Sequence, residues 1–212
     1  YFKLSDYNIV MLSKLQKDKI SIAILSGGKS SRMEGNDKGL IDFYGKSVLS
    51  RIINLASNFS SDIFVVANNN LDKYNQIHPY VYTDILEDFQ GPLSGIYTAL
   101  SKCKNKKLII LPCDGPFIKD VYFQVLTEYE SGKNIQVVKA NDRLQPVYAR
   151  IDSSLLNNLE NFLQTGERKI DKWYNSCGFD EICFDKNVEM FLNINSKEDI
   201  KKNEQLIKKI YG

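Results

Sequence analysis

The residues best suited to chemistry form one loop directly after the first apolar run of the chain. Residues 25–38 read LSGGKSSRMEGNDK and combine glycines, hydroxyls and cations. Gly27 and Gly28 let a tight turn expose backbone N–H groups to phosphates, because no Cβ stands in the way. Arg32 can bind phosphate oxygens as a bidentate fork and Lys38 as a point charge. The loop predicts a triphosphate site that includes Leu25, Ser26, Gly27, Gly28 and Lys38.

Two well-known phosphate-binding motifs are absent from this region of the sequence. The Walker A pattern G-x-x-x-x-G-K-S/T does not occur, and G-x-G-x-x-G does not follow the first apolar run. A Gly-Gly pair after a strand also occurs in ordinary turns. The nearby Arg32 and Lys38 are what favour the phosphate interpretation.

Asp114 is the candidate metal ligand. It follows the apolar run over residues 108–111, so its carboxylate emerges at a predicted strand end, where Mg²⁺ would find an oxygen ligand. A purely structural role is the alternative, because Asp before Gly115 and Pro116 readily forms a turn. The neighbouring Cys113 is expected only to pack.

Along the first half of the chain, short apolar runs typical of buried strands alternate with segments whose apolar residues have helical spacing. They predict strands over residues 20–25, 62–67, 80–83 and 107–111, helices over 48–56 and 91–103, and a short helix after the loop at 68–70. Parallel neighbours need crossover connections, so we predict a three-layer, Rossmann-like α/β fold with a mainly parallel sheet and helices on both faces. Ligands bind beyond the carboxyl ends of such strands, where we place Gly27, Asn68, Asp84 and Asp114.

The second half of the chain is expected to cover an acceptor. Strands are predicted over 136–139 and 146–149, helices over 153–163 and 168–174, and one amphipathic helix over 197–210. We expect a single domain over 19–212, with a nucleotide-binding half over 19–118 and an acceptor-binding half over 119–212. Residues 1–18 are expected to be an extension, and no function is assigned to them.

Composition and charge argue against several classes of protein. The 212 residues are 43% hydrophobic, enough for one sizeable core, and the net charge of +2 gives no argument for a nucleic-acid partner. The four cysteines form no C-x-x-C pair and His78 is the one histidine, so we expect reduced thiols and no structural zinc. Without an apolar run of membrane-spanning length or a signal peptide, we expect a cytoplasmic protein with no membrane contact.

Five ordered segments resemble the molybdenum cofactor guanylyltransferases, a family of nucleotidyltransferases with the fold of the nucleotide-diphospho-sugar transferases. The resemblance covers about residues 20–200. It rests on the loop L-x-G-G, R-M, D-K, on G-P-L-x-G-I/M at 91–96, P-C-D-x-P at 112–116, G-E-R-R-V/I at 166–170 and F-x-N-I/V-N-S/T at 191–196. The chain departs from the family at Glu34, where glycine is usual, at Gly115, where threonine is usual, and at Gln145, where histidine is usual.

The resemblance implies transfer of GMP from GTP to molybdopterin that carries molybdenum, with release of pyrophosphate. It implies catalytic roles for Arg32, Lys38 and Asp114, with Mg²⁺ on Asp114. Beyond the loop, the residues expected to bind the nucleotide are Asn68, Asp84, Gly91 and Pro92. Those expected to bind the acceptor are Gln145, Arg168 and Asn193. Molybdoenzymes or cofactor-delivery proteins are the expected protein partners.

Structural roles are the alternatives for several of these residues. An N-cap is the alternative for Asp84, a solvated loop for Asn68 and a solvated helix face for Arg168. Asn195 or Ser196 is expected to cap the terminal helix.

No nucleophilic triad is needed for the implied reaction, because a phosphate oxygen is already a nucleophile near neutral pH. One alternative function is a nucleotidyltransferase for a sugar phosphate, an alcohol phosphate or phospholactate, since the loop is shared across that superfamily. Another is a non-catalytic subunit that binds a nucleotide. The choice of guanine rests on the resemblance alone.

Overall fold

In the computed structural model, which describes residues 19–26, 37–86 and 91–212, seven strands form the central sheet. Numbered in chain order, the strands are β1 (Ile20–Ser26), β2 (Asp42–Phe43), β3 (Lys46–Ser47), β4 (Asp62–Ala67), β5 (Val81–Tyr82), β6 (Lys107–Pro112), β7 (Ile135–Ala140), β8 (Arg143–Asp152) and β9 (Asp180–Cys183). The sheet order is β5-β4-β1-β6-β8-β7-β9, while β2 and β3 form a separate hairpin. All sheet pairings are parallel except those of β8 with β6 and β7, which confirms a mainly parallel sheet.

β1 is an interior strand of the sheet, between β4 and β6, where every one of its side chains can be buried. Its seven residues, ISIAILS, are all buried. Alternate side chains point to opposite faces of a strand, and Ile22 and Ile24 join one apolar cluster while Ala23 and Leu25 join the other. A continuous apolar run is typical of a strand that helices cover on both sides.

Helices pack on both faces of the sheet, as predicted. In chain order they are α1 (Val48–Ala56), α2 (Leu71–Ile77), α3 (Pro92–Lys102), α4 (Asp120–Glu128), α5 (Leu156–Gln164), α6 (Ile170–Cys177), α7 (Lys197–Lys202) and α8 (Glu204–Tyr211). The apolar faces of α1, α2, α4 and α8 share one cluster with the sheet, and those of α3, α5 and α6 share the other. The result is a three-layer α/β fold.

Several elements differ from the sequence-based prediction. The predicted terminal helix is two helices, because the helix is interrupted at Asn203. The N–H of Asn203 caps α7 by donating to the carbonyls of Asp199 and Ile200. The β2–β3 hairpin, α4 and β9 were not predicted. The hairpin turns through Tyr44 and Gly45, both with positive φ, and its strands are too short to show a periodic pattern.

The topology brings the carboxyl ends of β1, β4, β5 and β6 to one edge of the sheet. β8 runs the other way, so the residues that precede Ala149, the partner of Ile110 on β6, lie toward the same edge. This edge is where the predicted site residues were placed, and it is called the carboxyl edge below.

Candidate nucleotide-binding site

Asp114 leaves β6 at the carboxyl edge and forms an ion pair with Lys38. Lys38 Nζ donates to Asp114 Oδ2 at 3.2 Å, and the two side chains are 29% and 17% exposed. Lys38 begins a short 3-10 turn, Lys38–Leu40, after the predicted phosphate loop. The structure thus brings these two predicted catalytic residues together. Because the Lys38 ammonium is partly exposed, it can also reach a phosphate chain.

The C-terminal segment closes over the same ion pair. Lys38 Nζ also donates a short hydrogen bond to Asn195 Oδ1, and the N–H of Ile194 donates to the backbone carbonyl of Asp114 at 3.0 Å. Ser196 is the N-cap of α7, because its Oγ accepts from the N–H of Asp199 at 3.1 Å. The predicted cap is therefore Ser196, whereas the side chain of Asn195 serves the ion pair. Sequence reasoning missed that role.

The chemistry of Asp114 fits a magnesium ion. Its Oδ1 is buried and has no hydrogen-bond partner among the residues that the structure describes. Mg²⁺ at nucleotide sites typically takes one or two carboxylates and completes its shell with water and substrate phosphates. Within the described ranges no group of three or more His, Cys, Asp or Glu side chains is arranged to hold a metal.

A second carboxylate, Asp84, lies just beyond β5. Asp84 Oδ2 accepts from Asn68 Nδ2 at 2.8 Å, and the N–H of Asp84 donates to Asn68 Oδ1 at 2.9 Å. Asn68 follows β4 and is exposed, as a solvated loop residue would be, but two hydrogen bonds tie its side chain to Asp84. The N-cap of α3 is Gly91, so Asp84 does not cap that helix. Asp84 Oδ1 is buried and finds no partner within the described part of the chain.

The start of α3 lies beside Asp84. Gly91 has φ +127°, a conformation that side chains rarely adopt, and Pro92 occupies the first turn, where a missing N–H costs nothing. One turn later, a Cβ on Gly95 would lie 3.7 Å from Leu25 Cδ2 and 3.8 Å from Asp84 Oδ1. The structure thus brings Leu25, Asp84 and the first turn of α3 together.

Ser26 belongs to a buried polar cluster beneath the site. Its hydroxyl forms a short hydrogen bond with Tyr74 Oη, accepts from Cys113 Sγ at 3.2 Å and donates to Asp37 Oδ1 at 3.3 Å. Tyr74, which is fully buried on α2, was missed by sequence reasoning. A Cβ on Gly39 would lie 3.0 Å from Tyr74 Oη, so this cluster packs directly under the turn that holds Lys38.

Cys113 is a packing residue. Burial, reinforced by the adjacent Asp114 carboxylate, raises the pKa of the Cys113 thiol to about 12. The thiolate is the reactive form of cysteine, and so high a pKa keeps the thiol protonated near neutral pH. This side chain is therefore unsuited to nucleophilic chemistry.

The three predicted acceptor residues have different surroundings. Asn193 is exposed and precedes the segment that contacts Asp114, and Gln145 is half-buried on β8, in register with Val138 of β7. Arg168 lies between α5 and α6, where Nη1 donates to the carbonyls of Leu163 and Glu167, each at 2.8 Å. It thus has a structural role and is not simply on a solvated helix face, while acceptor binding by the three residues stays a prediction.

Some predicted site residues lie outside the described residues. They are Gly27, Gly28 and Arg32, and Glu34, where the chain departs from the family pattern, also lies outside them. Their roles remain those predicted from sequence. Across the ranges that the structure does describe, no helix is long and apolar enough to cross a membrane.

Comparison with known proteins identifies the family. The model of the MobA-like NTP transferase domain matches residues 22–178. The chain belongs to the MobA-like NTP transferase family. The molybdenum cofactor guanylyltransferase of Photobacterium profundum is 32% identical over 191 residues, which cover 90% of this chain and 98% of that protein. The protein of the same name from Polynucleobacter asymbioticus is 34% identical over 194 residues, covering 88% of this chain and 96% of the relative.

Solved structures show the same fold as this MobA-like transferase. Molybdopterin-guanine dinucleotide biosynthesis protein A from Archaeoglobus fulgidus superposes with a TM-score of 0.74 at 23% identity, covering 89% of this chain and 99% of that one. A 4-diphosphocytidyl-2C-methyl-D-erythritol synthase from Anaerococcus prevotii superposes with a TM-score of 0.67 at 12% identity, covering 92% and 100% of the two chains. These neighbours confirm the predicted nucleotidyltransferase fold.

Proposed function

We propose that this MobA-like transferase moves GMP from GTP to the terminal phosphate of molybdopterin that carries molybdenum, forming the guanine dinucleotide cofactor and pyrophosphate. The observation that carries the proposal is the match to relatives named molybdenum cofactor guanylyltransferase over 90% and 88% of the chain. That match includes the second half, where related nucleotidyltransferases with other acceptors are expected to differ. It therefore favours this reaction over transfer to a sugar phosphate.

The proposed bond changes need no protein nucleophile. An ionised phosphate oxygen of the acceptor attacks the α-phosphorus of GTP, and the bond from that phosphorus to the bridging oxygen of the β-phosphate breaks. Pyrophosphate leaves with the electron pair. What the protein must supply is alignment and compensation of charge.

Asp114 and Lys38 are the described residues that we assign to this charge compensation. Asp114 would hold Mg²⁺, which when bound offsets negative charge on the phosphate oxygens. Lys38 is partly exposed and held by two oxygen acceptors, so its ammonium can exchange one of them for a phosphate. Arg32, with Gly27 and Gly28, is proposed to bind the rest of the triphosphate.

The nucleoside is proposed to lie on the other side of the carboxyl edge. Asp84 Oδ1 is a buried acceptor that no described residue satisfies, and it lies next to the start of α3. A ribose hydroxyl is a suitable donor for such an oxygen. Leu25, Asn68, Gly91 and Pro92 would surround this end of GTP.

The acceptor is proposed to bind mainly to residues 119–212, with Gln145, Arg168 and Asn193 as contacts, and GTP mainly to residues 19–118. Asn195 is an exception to this division, since it contacts Lys38. A cytoplasmic location and delivery of the product to molybdoenzymes or their carrier proteins belong to the same proposal.

Pyrophosphate release tests the reaction directly. Purified protein is incubated with Mg²⁺, each of the four nucleoside triphosphates in turn, and molybdopterin loaded with molybdate. We expect release only when GTP and the acceptor are present together. Release with another triphosphate and a sugar phosphate would replace the proposed reaction, and GTP binding without release under any acceptor would indicate a carrier subunit.

A further inference from the structure

Gly115 stands where threonine is usual in the family, and the structure gives a steric reason for glycine. A Cβ on Gly115 would lie 2.1 Å from Tyr148 Oη and 3.3 Å from Tyr148 Cζ. Any other residue at position 115 would therefore displace the tyrosine. Glycine lets the phenol hydroxyl reach the backbone immediately after Asp114.

Tyr148 is firmly held in this position. Its side chain is 3% exposed, and its ring packs edge-on against Tyr122 and Phe191, with centroids 5.8 and 5.0 Å away. The register of β7 with β8 shifts between Val137 and Val138, whose partners are Ala149 and Gln145, so Tyr148 lies in a bulge of β8. Bulges re-aim side chains next to functional sites, and this one lies at the carboxyl edge.

Two buried polar atoms of complementary kind lack a hydrogen-bond partner within the part of the chain that the structure describes. Tyr148 Oη and Asp114 Oδ1 are both buried, and neither has a hydrogen-bond partner among the described residues. Burial raises the pKa of Tyr148 well above its usual value, and the Asp114 carboxylate adds to the rise, so the phenol keeps its proton. A buried donor and a buried acceptor that both stay unpaired are costly, which favours a hydrogen bond between them.

We propose that Tyr148 is a positioning residue for Asp114: its hydroxyl donates a hydrogen bond to Asp114 Oδ1 when nucleotide is bound, and Gly115 makes room for it. The inference rests on the proposed function, because it assigns Asp114 to the triphosphate. A carboxylate oxygen has two lone pairs, so Oδ1 can accept this bond and still face a cation. The bond fixes the rotation of the carboxylate, which among the described residues is otherwise held through Oδ2 by Lys38.

The first test is Tyr148→Phe, which keeps the ring contacts and removes only the hydroxyl. We measure the affinity of the protein with GTP for Mn²⁺, as a spectroscopic substitute for Mg²⁺, by electron paramagnetic resonance, and kcat and KM by pyrophosphate release. We expect Mn²⁺ affinity and kcat each to fall about 10-fold, the usual cost of losing a group that orients a metal ligand. The KM for GTP should stay unchanged.

Tyr174→Phe is the matched control. Tyr174 is also buried, and its hydroxyl donates to the carbonyl of Pro146 in the same bulge at 2.8 Å. This variant loosens the bulge without removing a group beside Asp114, so Mn²⁺ affinity should remain at the wild-type value. Equal losses in both variants, or no loss in Tyr148→Phe, would overturn the proposal.

A second test addresses the steric part alone. Gly115→Ala should lower the Tm, and adding Tyr148→Phe should restore part of the loss, because the nearest remaining ring atom would lie 3.3 Å from the new Cβ. Failure of the second substitution to rescue the first would contradict the packing argument. Failure of the proposed function would look different. If Tyr148→Phe weakened Mn²⁺ binding in the presence of GTP but the wild-type protein released no pyrophosphate, the proposed reaction would be refuted and the positioning role of Tyr148 would stand.

Discussion

Two aspartates lie at the carboxyl edge in similar surroundings, but one has a neutral hydrogen-bond partner and the other a cationic one. Asp84 follows β5 and Asp114 follows β6, and each has one oxygen bonded and one buried without a partner among the described residues. The bonded oxygen of Asp84 accepts from the neutral amide of Asn68, whereas that of Asp114 accepts from the ammonium of Lys38. The two ends of the site therefore differ in local charge.

We propose that this difference in charge assigns the two aspartates to different ends of a bound nucleotide. A neutral amide does not compensate the negative charge of an aspartate, so the carboxylate repels phosphates but accepts hydrogen bonds from hydroxyls. An aspartate beside a lysine offers a cation to a phosphate chain and an oxygen to a metal. We expect substitutions at the Asp114 end to affect turnover and substitutions at the Asp84 end to affect binding.

Asp114→Asn should have the largest effect. The amide keeps the shape of the side chain but loses the charge that would hold Mg²⁺, so we expect kcat to fall about 1,000-fold, corresponding to several kcal/mol of lost transition-state stabilisation. Pyrophosphate release measures it, with an unchanged circular dichroism spectrum as the control for folding. Near-normal turnover would refute the assignment of Mg²⁺ to Asp114.

Lys38→Met should come next. Removing the ammonium leaves Asp114 unpaired and the triphosphate less compensated, so we expect a loss of about 100-fold in kcat/KM. Lys38→Arg is the informative companion, because a planar guanidinium does not reproduce a point charge between Asp114 and Asn195. Full activity in Lys38→Arg would show that charge alone matters here.

Asp84→Asn should separate the two ends of the site most sharply. Hydrogen bonds to a charged acceptor are worth about 1.5–3 kcal/mol, so loss of the charge should raise the KM for GTP about 10-fold or more. The kcat should change little, since we propose that the reacting phosphates bind at the Asp114 end. Steady-state kinetics with varied GTP measure both values, and a fall in kcat with an unchanged KM would invert the assignment.

Treatment with a thiol reagent should have the smallest effect, because Cys113 should not react although it adjoins Asp114. Its pKa of about 12 lies above the usual thiol value, so its thiolate is scarce at pH 8 and becomes abundant only as the pH rises toward 12. Iodoacetamide at pH 8 should leave Cys113 of the folded protein unmodified, as read by mass spectrometry of its peptides. Rapid modification in the folded state would mean that this part of the edge opens to solvent.

The sequence predicted several elements that show strong periodic patterns, but it missed the nine-residue helix α4 and the shortest strands. The apolar run of β1 and the helical spacing in α1 lie where they were predicted. The β2–β3 hairpin is too short for a pattern, and β9 is only four residues long. Asn203 interrupts the predicted terminal helix through its own backbone bonds, which the charge pattern of that tail does not reveal.

The sequence by itself determined the family, the alternation of strands and helices, and the carboxylates at strand ends, because these depend on residues close together in the chain. Only the tertiary structure decided which side chains meet. Lys38 binds Asn195, 157 residues away, Asn68 fixes Asp84, and Tyr148 occupies the space above Gly115. Such contacts depend on how distant segments approach one another, and no local pattern records that geometry.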